Sequence, residues 1–236
     1  MLSLKRRKRI KKNRFFNLSL FFGFYYDLPT EQQCQELFQK YKVPQNIKQH
    51  CEKVREVAVF LAEQLKNNGE EVNIGLVSRA ALLHDLFKVV TIDPNQQTSF
   101  HQGNFSEAEL LARTTLIERF PNMKEHQIAY QFFKDDYPLL ASVLLTSSNL
   151  EQEKDNWEDI IICYADSRTF QNQVVSQKER FKYLKQHYPK PIEFWDNQIK
   201  KLSEYENNIF SKININPKQL AEKIVSVSSP TKIQND

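Results

Sequence analysis

The sequence predicts an all-α protein, a compact helical bundle with additional helices at its C-terminal end. Three observations support this class. The 236 residues include only four glycines, whereas folds built on sheets use many glycines in turns and phosphate loops. No stretch alternates apolar and polar residues with the period of two that is typical of a strand. Signals for the start of a helix, in contrast, recur along the chain.

Four of these signals have the spacing of a capping box, in which one side chain caps a free backbone N–H and a second, three residues later, reaches back. The pairs are Thr30 with Gln33, Ser106 with Glu109, Asp155 with Glu158, and Ser176 with Glu179. Pro191 and Pro217 stand where the first turn of a helix tolerates proline. Combined with apolar periodicity, the signals predict helices over residues 31–41, 45–67, 74–87, 107–119, 123–134, 138–147, 156–169, 177–187, 192–210 and 217–225.

Composition divides the chain into four regions. These are a basic and aromatic extension (1–28), a helical domain (29–188), further helices packed on it (189–225) and a tail (226–236). In the extension, eight basic residues are followed by the aromatic stretch FFNLSLFFGFYY, whose roughly 12 residues are too few to cross a bilayer. We expect the extension to be poorly ordered. Peripheral contact of residues 1–26 with an anionic membrane is the alternative.

The charge distribution argues against nucleic acid as a partner. The net charge of +4 includes the eight basic residues of the extension, and without them 25 basic side chains face 29 acidic ones. A nucleic-acid-binding domain is expected to carry its positive surface on the folded part. Cys34, Cys51 and Cys163 are odd in number and form no CxxC pair, which predicts reduced core thiols in a cytoplasmic protein.

The segment VPQNIKQHCEKVREVAVFLAEQL predicts a helix with a histidine on its buried face. Ile47, Val54 and Val57 share one apolar stripe, and His50 lies on that stripe one turn before Val54. The helix therefore directs an imidazole into the interior. A lone histidine on an apolar face is most often a hydrogen-bonded core residue, so His50 alone does not establish a site.

The helix predicted over 74–87 brings His84, Asp85 and Lys88 together at its end. A carboxylate buried beside an imidazole costs several kcal/mol unless something compensates its charge, and a divalent cation would do so. The alternative is an exposed helix end with a chance His-Asp pair.

The segment WEDIIICYADSRT predicts a third helix with an acid near its apolar face. Asp166 follows Ile162 by about one turn. A buried aspartate in an isoleucine-rich helix needs a cation or an arginine partner. Arg168 is close in sequence, so an Asp166–Arg168 pair at the helix end is the alternative to a metal site.

In combination, the three helices resemble the HD superfamily of metal-dependent phosphohydrolases. VPQNIKQHCEKVREVA is similar to its first-histidine helix, ALLHDLFK to its ALLHD-x-x-K signature, and IIICYADSRT to its closing Tyr-Ala-Asp segment. The resemblance runs from Val43 to Thr169, and VVSQKERFKYLKQHYP looks like the continuation in small prokaryotic members. It implies an HD-type helical bundle over 29–188. The implied ligands of a divalent metal ion are His50, His84, Asp85 and Asp166.

The resemblance also implies roles for residues around these ligands. Lys88 matches the lysine of the common HD-I-G-K form and would approach a substrate phosphate, although Phe87 replaces the usual glycine. KEHQIAYQFF resembles the family's His-x-x-Gly/Ala helix and nominates His126. A later family histidine is expected near LLTSSNL, where residues 147–149 are Ser-Ser-Asn. Because these are poor ligands for a transition metal, we expect one ion, with His126 as a supporting or substrate contact.

These features predict metal-assisted hydrolysis of a phosphate ester or anhydride, with a nucleotide as the expected substrate. The ligand set suits Mn, Fe, Co, Ni or Zn. Asp85 would also relay a proton, and Lys88 and Arg168 would offset charge on the transferring group. The competing hypothesis is a non-catalytic HD module that binds a metal or nucleotide and regulates a partner. A membrane-surface phosphodiesterase acting on RNA has only the basic N-terminus in its favour. His101 is interpreted as a surface histidine, with a residue of a lid over the site as the alternative, and His187 is assigned no role.

Overall fold

A computed structural model of the chain describes residues 27–94, 105–149 and 151–228. Residues 1–26, His101 and the last eight residues, for which the sequence predicted an extension, a surface loop and a tail, lie outside this part. The helices are α1 (Glu31–Lys40), α2 (Gln45–Asn67), α3 (Ile74–Leu83), α4 (Glu107–Arg119), α5 (Glu125–Phe133), α6 (Pro138–Ser147), α7 (Trp157–Ser167), α8 (Gln177–His187), α9 (Ile192–Lys212) and α10 (Leu220–Ser228). Short 3₁₀ turns cover Lys88–Val90 and Pro217–Gln219.

The all-α prediction is confirmed for the described residues. Capping boxes form at Thr30, Ser106 and Ser176 as the spacing predicts. The fourth box is wrong by one residue, because Asn156 caps α7 and accepts the backbone N–H of Asp159 at 2.8 Å. Glu158, expected to complete that box, instead accepts the backbone N–H of Asn73 at 2.8 Å.

Several helix ends differ from the prediction; helix α10, for example, covers Leu220–Ser228 instead of 217–225. Two of the differences lie beside the candidate ligands. Helix α3 stops at Leu83, four residues early, because the next segment forms tighter bonds three residues apart, such as Leu86 N–H to Leu83 O. Helix α7 stops at Ser167, and a small antiparallel hairpin follows, β1 (Thr169–Phe170) and β2 (Gln173–Val174). Two residues per strand are too few to produce a periodic signal in the sequence.

Helix α2 is the centre of the bundle. It packs against α3, α7, α9 and α10, while α7 also contacts α3, α6 and α9. The apolar stripe predicted for α2 is buried, including Ile47, Val54 and Val57. The three cysteines are buried and form no disulfide. Because α2, α3 and α7 pack together, the ends that carry the candidate ligands meet. In the described part of the chain, no helix is long and apolar enough to span a membrane.

Candidate metal centre

His50 projects from α2 towards the hairpin and the end of α7. Its ring is 1 % exposed. A carbonyl oxygen can only accept, so Nδ1–H donates to the Gln171 carbonyl at 3.2 Å. Gln171 presents this oxygen from a left-handed conformation, φ 55°. In the neutral ring Nε2 then carries a lone pair, which faces Asp166 Oδ1 at 3.1 Å. Two electron-pair donors at this distance need a cation or a proton between them.

His84 follows α3 directly, and its ring is oriented in the same way as that of His50, by a hydrogen bond from Nδ1–H to a backbone carbonyl. Its Nδ1–H donates to the Ala81 carbonyl at 2.8 Å, which leaves the lone pair on Nε2. That nitrogen is buried and has no hydrogen-bond partner among the described residues. Its nearest carboxylate oxygens are Asp85 Oδ2 at 3.6 Å and Asp166 Oδ1 at 4.0 Å. A buried nitrogen without a partner is costly, and a metal ion would satisfy it.

The donor atoms are close enough to share one ion. One donor atom each from His50, His84 and Asp85 lie within 4.8 Å of one another. Donors about 2.1 Å from the same ion lie about 3.0 Å apart at right angles and about 4.2 Å apart when opposite. The pairs at 3.1, 3.6 and 4.0 Å fall in this range. The donor set, two imidazoles with carboxylates, fits a divalent ion of intermediate hardness.

The electrostatic surroundings of the cluster favour a cation. Burial opposes a charge on His84, but neighbouring negative groups, Asp85 foremost, raise its pKa above the usual range. Burial likewise opposes ionisation of Asp85, yet Lys88 and His84 lower the pKa of that carboxyl. For Asp166, partial burial opposes ionisation, but the neighbouring His50 and Arg180 outweigh it, so its pKa is also lowered. The carboxylates therefore remain charged and attract positive charge to the ring nitrogens.

Comparison with known proteins gives the family. The HD domain family matches residues 47–170, a stretch of the chain that contains all four candidate ligands. This chain belongs to the HD-domain family. Searches of curated proteins and of solved structures found no match. Members of the HD family are in general metal-dependent hydrolases. The cluster of the buried His50 and His84 with the partly buried Asp85 agrees with that chemistry.

Lys88, predicted from the HD signature, lies at the rim of the cluster. Its Nζ is 3.6 Å from Asp85 Oδ1 and 3.4 Å from Glu125 Oε1. The negative charge of Asp85 is the main reason that the pKa of the Lys88 amine is raised, so the amine is a stable cation. Glu125 was not predicted as a site residue. Its position at the start of the helix that carries His126 is the sequence feature that could have identified it.

His126 is half-buried on α5 and is not part of the donor cluster found among the described residues. Burial lowers its pKa, and Lys88 lies within electrostatic range. Residues 147–149, where a further family histidine was expected, place the buried Ser147 hydroxyl at the end of α6, with no hydrogen-bond partner in the described chain.

Arg168, predicted as a charge-compensating residue, is held away from the cluster. Its guanidinium donates to the Val175 carbonyl at 2.7 Å, the Pro217 carbonyl at 3.1 Å and the Glu206 carboxylate at 3.3 Å, and to the Tyr164 hydroxyl. These contacts join α7 to the hairpin, to α9 and to the turn before α10. We therefore propose a structural role for Arg168 in place of the predicted one, because these four contacts occupy its guanidinium donors.

Arg180 occupies the place at the ligand cluster that was expected for Arg168. It lies in the second turn of α8, is 7 % exposed, and brings Nη2 to 3.8 Å from Asp166 Oδ1. Sequence analysis missed it because the contact joins residues of two helices separated by the hairpin. The signal was present, since the segment VVSQKERFKYLKQHYP was included in the family resemblance.

Proposed function

We propose that this protein is a cytoplasmic phosphohydrolase that uses one divalent metal ion to hydrolyse a phosphate ester or anhydride of a nucleotide. The observation that carries the proposal is the buried Nε2 of His84, which has no hydrogen-bond partner in the described chain and lies 3.6 Å and 4.0 Å from the carboxylates of Asp85 and Asp166. A buried nitrogen without a hydrogen bond destabilises an ordinary core, whereas a metal centre needs a nitrogen with a free lone pair.

The proposed ligands are His50, His84, Asp85 and Asp166. The carbonyls of Gln171 and Ala81 fix both rings with Nε2 directed inward, the support that metal-bound histidines usually have. Mn, Fe, Co, Ni and Zn all accept this mixture of nitrogen and oxygen donors. One ion is proposed because His126 lies outside the cluster and serine replaces a further histidine at Ser147.

A bound divalent ion supplies a Lewis acid that activates water and polarises a phosphoryl oxygen. Asp85 would take the proton that the attacking water loses as its oxygen bonds to phosphorus. The bond from phosphorus to the leaving oxygen would break, and that oxygen would receive a proton from Asp85 or from solvent. Lys88 offsets the negative charge that builds up on the phosphoryl oxygens.

The test is hydrolysis by the full-length protein, loaded in turn with each of the five metals. The panel contains nucleoside mono-, di- and triphosphates, cyclic nucleotides and p-nitrophenyl phosphate, with release of phosphate or nitrophenol as the signal. Asp85→Asn should lose at least about 100-fold in rate, and the matched control Asp135→Asn, an exposed acid, should keep the wild-type rate. No hydrolysis with any metal, or full activity in Asp85→Asn, would contradict the proposal.

A second function is favoured by Ser147, Ser148 and Asn149, which stand where a further family histidine was expected. If the site binds a metal ion and a nucleotide but hydrolyses none of the panel, the protein is a regulatory HD module that signals to a partner. Calorimetric titration of the metal-loaded protein with nucleotides, run beside the rate assay, distinguishes binding without turnover from the absence of binding.

A further inference from the structure

We propose that Arg180 binds the phosphate group of the substrate, opposite Lys88, so that α8 forms one wall of an anion site above the metal centre. The assignment of the anion to a substrate rests on the proposed function. The anion site itself rests on the placement of the two cations.

Asp85 and Asp166, the two carboxylates of the cluster, each have a cation beside them. Lys88 Nζ is 3.6 Å from Asp85 Oδ1, and Arg180 Nη2 is 3.8 Å from Asp166 Oδ1. Both distances exceed the usual range of a hydrogen bond, so each cation acts on its carboxylate through charge. Lys88 reaches the cluster from the turn after α3 and Arg180 from α8, so the two cations approach from different elements.

The two cations flank the same cluster. The carboxylates that they accompany both approach one atom, His84 Nε2, which is 3.6 Å from Asp85 Oδ2 and 4.0 Å from Asp166 Oδ1. Lys88 and Arg180 are therefore cations of a single site. The site is open to solvent at Asp166 and Lys88, whose side chains are 39 % and 34 % exposed.

The sign of the charge near the cluster depends on the metal. Three carboxylates contribute −3 and two cations +2, which gives −1 with both histidines neutral and no metal ion; the groups are Asp85, Asp166, Glu125, Lys88 and Arg180. A proton on His84 would raise this sum to 0, whereas a divalent ion held by neutral histidines raises it to +1. The site is therefore positive, and attracts an anion, only when it is loaded. Metal binding is expected to precede phosphate binding.

Arginine is suited to this position because its planar guanidinium can donate two parallel hydrogen bonds to a phosphate. The position is also preorganised. Helix α8 begins at a complete capping box, formed by Ser176 and Glu179, directly before Arg180. The Arg180 guanidinium packs over the ring of Phe170 at 5.9 Å, which holds it next to the hairpin that also supports His50. The side chain therefore loses little freedom when an anion binds.

The experiment measures the affinity of inorganic phosphate by calorimetry, on full-length protein with and without Mn²⁺. Wild type should bind phosphate only when loaded. Arg180→Gln should bind it at least about tenfold more weakly, because a charge-assisted hydrogen bond is lost, with unchanged metal content. Lys182→Gln, an exposed position on the same helix, is the matched control and should bind as wild type does.

Arg180→Lys keeps the charge and gives a second test if Arg180→Gln does not fold. It should bind phosphate more weakly than wild type, since an ammonium cannot form the bidentate contact. Wild-type affinity in a folded Arg180 variant, or phosphate binding that ignores the metal, would overturn the inference. If hydrolysis is absent but phosphate binding depends on Arg180 and on metal, the proposed function fails while the anion site stands.

Discussion

Replacing Arg168 with methionine should destabilise the fold without affecting the metal centre. The guanidinium is 7 % exposed and bridges α7, the hairpin, α9 and the turn before α10 through four hydrogen-bond partners. Methionine fills part of the same volume but donates no hydrogen bond. The variant therefore leaves the Glu206 carboxylate and the Tyr164 hydroxyl without their cation.

The size of the effect follows from the burial of these groups. Removal of one partner from a buried ion pair costs about 3–5 kcal/mol. The Glu206 side chain is 29 % exposed and can recover some hydration, so we expect a loss of about 3 kcal/mol. For a chain of this length that corresponds to a fall in Tm of roughly 6–12 °C.

Urea unfolding followed by circular dichroism measures the loss, and elemental analysis of the same samples measures the metal. Arg119→Met, at an exposed position of α4, is the control and should change the free energy of unfolding by less than about 0.5 kcal/mol. A loss below about 1 kcal/mol in Arg168→Met, or loss of metal with normal stability, would refute the structural role of Arg168.

Three further predictions concern other parts of the chain. Deletion of residues 1–26 should leave helicity and metal content unchanged, because the described helices begin at Glu31. Loss of solubility in the truncated protein would show that the deleted aromatic stretch packs on the domain. Binding of only the full-length chain to anionic vesicles would support membrane contact. Burial raises the pKa of Asp159 to about 6, above its unfolded value, so its contribution to stability is present below about pH 4 and is lost as pH rises through 6. The free energy of unfolding of Asp159→Asn, measured by urea titration, should accordingly increase relative to wild type by on the order of 1–3 kcal/mol as the pH rises from about 4 to about 7.5. A stability difference that does not change with pH would contradict this prediction. His126→Ala should lower turnover or raise KM while metal content stays near one ion per chain; two ions in wild type, one of them lost in the variant, would show a binuclear site.

Local features of the fold were predictable from the sequence because their causes are local. The boxes at Thr30, Ser106 and Ser176 depend on residues three apart, and the buried stripe of α2 depends on periodicity within one helix. At α7 two adjacent residues, Asp155 and Asn156, are both of types that cap helices well. The sequence alone therefore did not distinguish between them, and the prediction was wrong by one position.

The proximity of His50, His84 and Asp85 was predictable because the His, His-Asp and Asp segments resemble a known family. The backbone groups that orient the two rings were not predictable. The carbonyl that holds His50 belongs to Gln171, 121 residues away, at the turn of a hairpin too short to leave a pattern. Arg168 was predicted as the arginine near Asp166 because it is close in sequence. The structure instead brings Arg180 to Asp166, through the packing of α8, and this contact too joins residues distant in sequence. Backbone acceptors and contacts between distant helices have no signature in a single sequence.

The most direct test of the central claim is the metal content of the purified protein. Elemental analysis should find about one divalent ion per chain, removable by a chelator. His84→Ala and Asp85→Asn should each lose it, because an incomplete set of ligands does not retain the ion, while Asp135→Asn should keep it. Circular dichroism would confirm that the variants remain helical. Stoichiometric metal in both folded ligand variants, or wild-type protein that takes up none of Mn, Fe, Co, Ni or Zn, would contradict the assignment of this cluster as a metal centre.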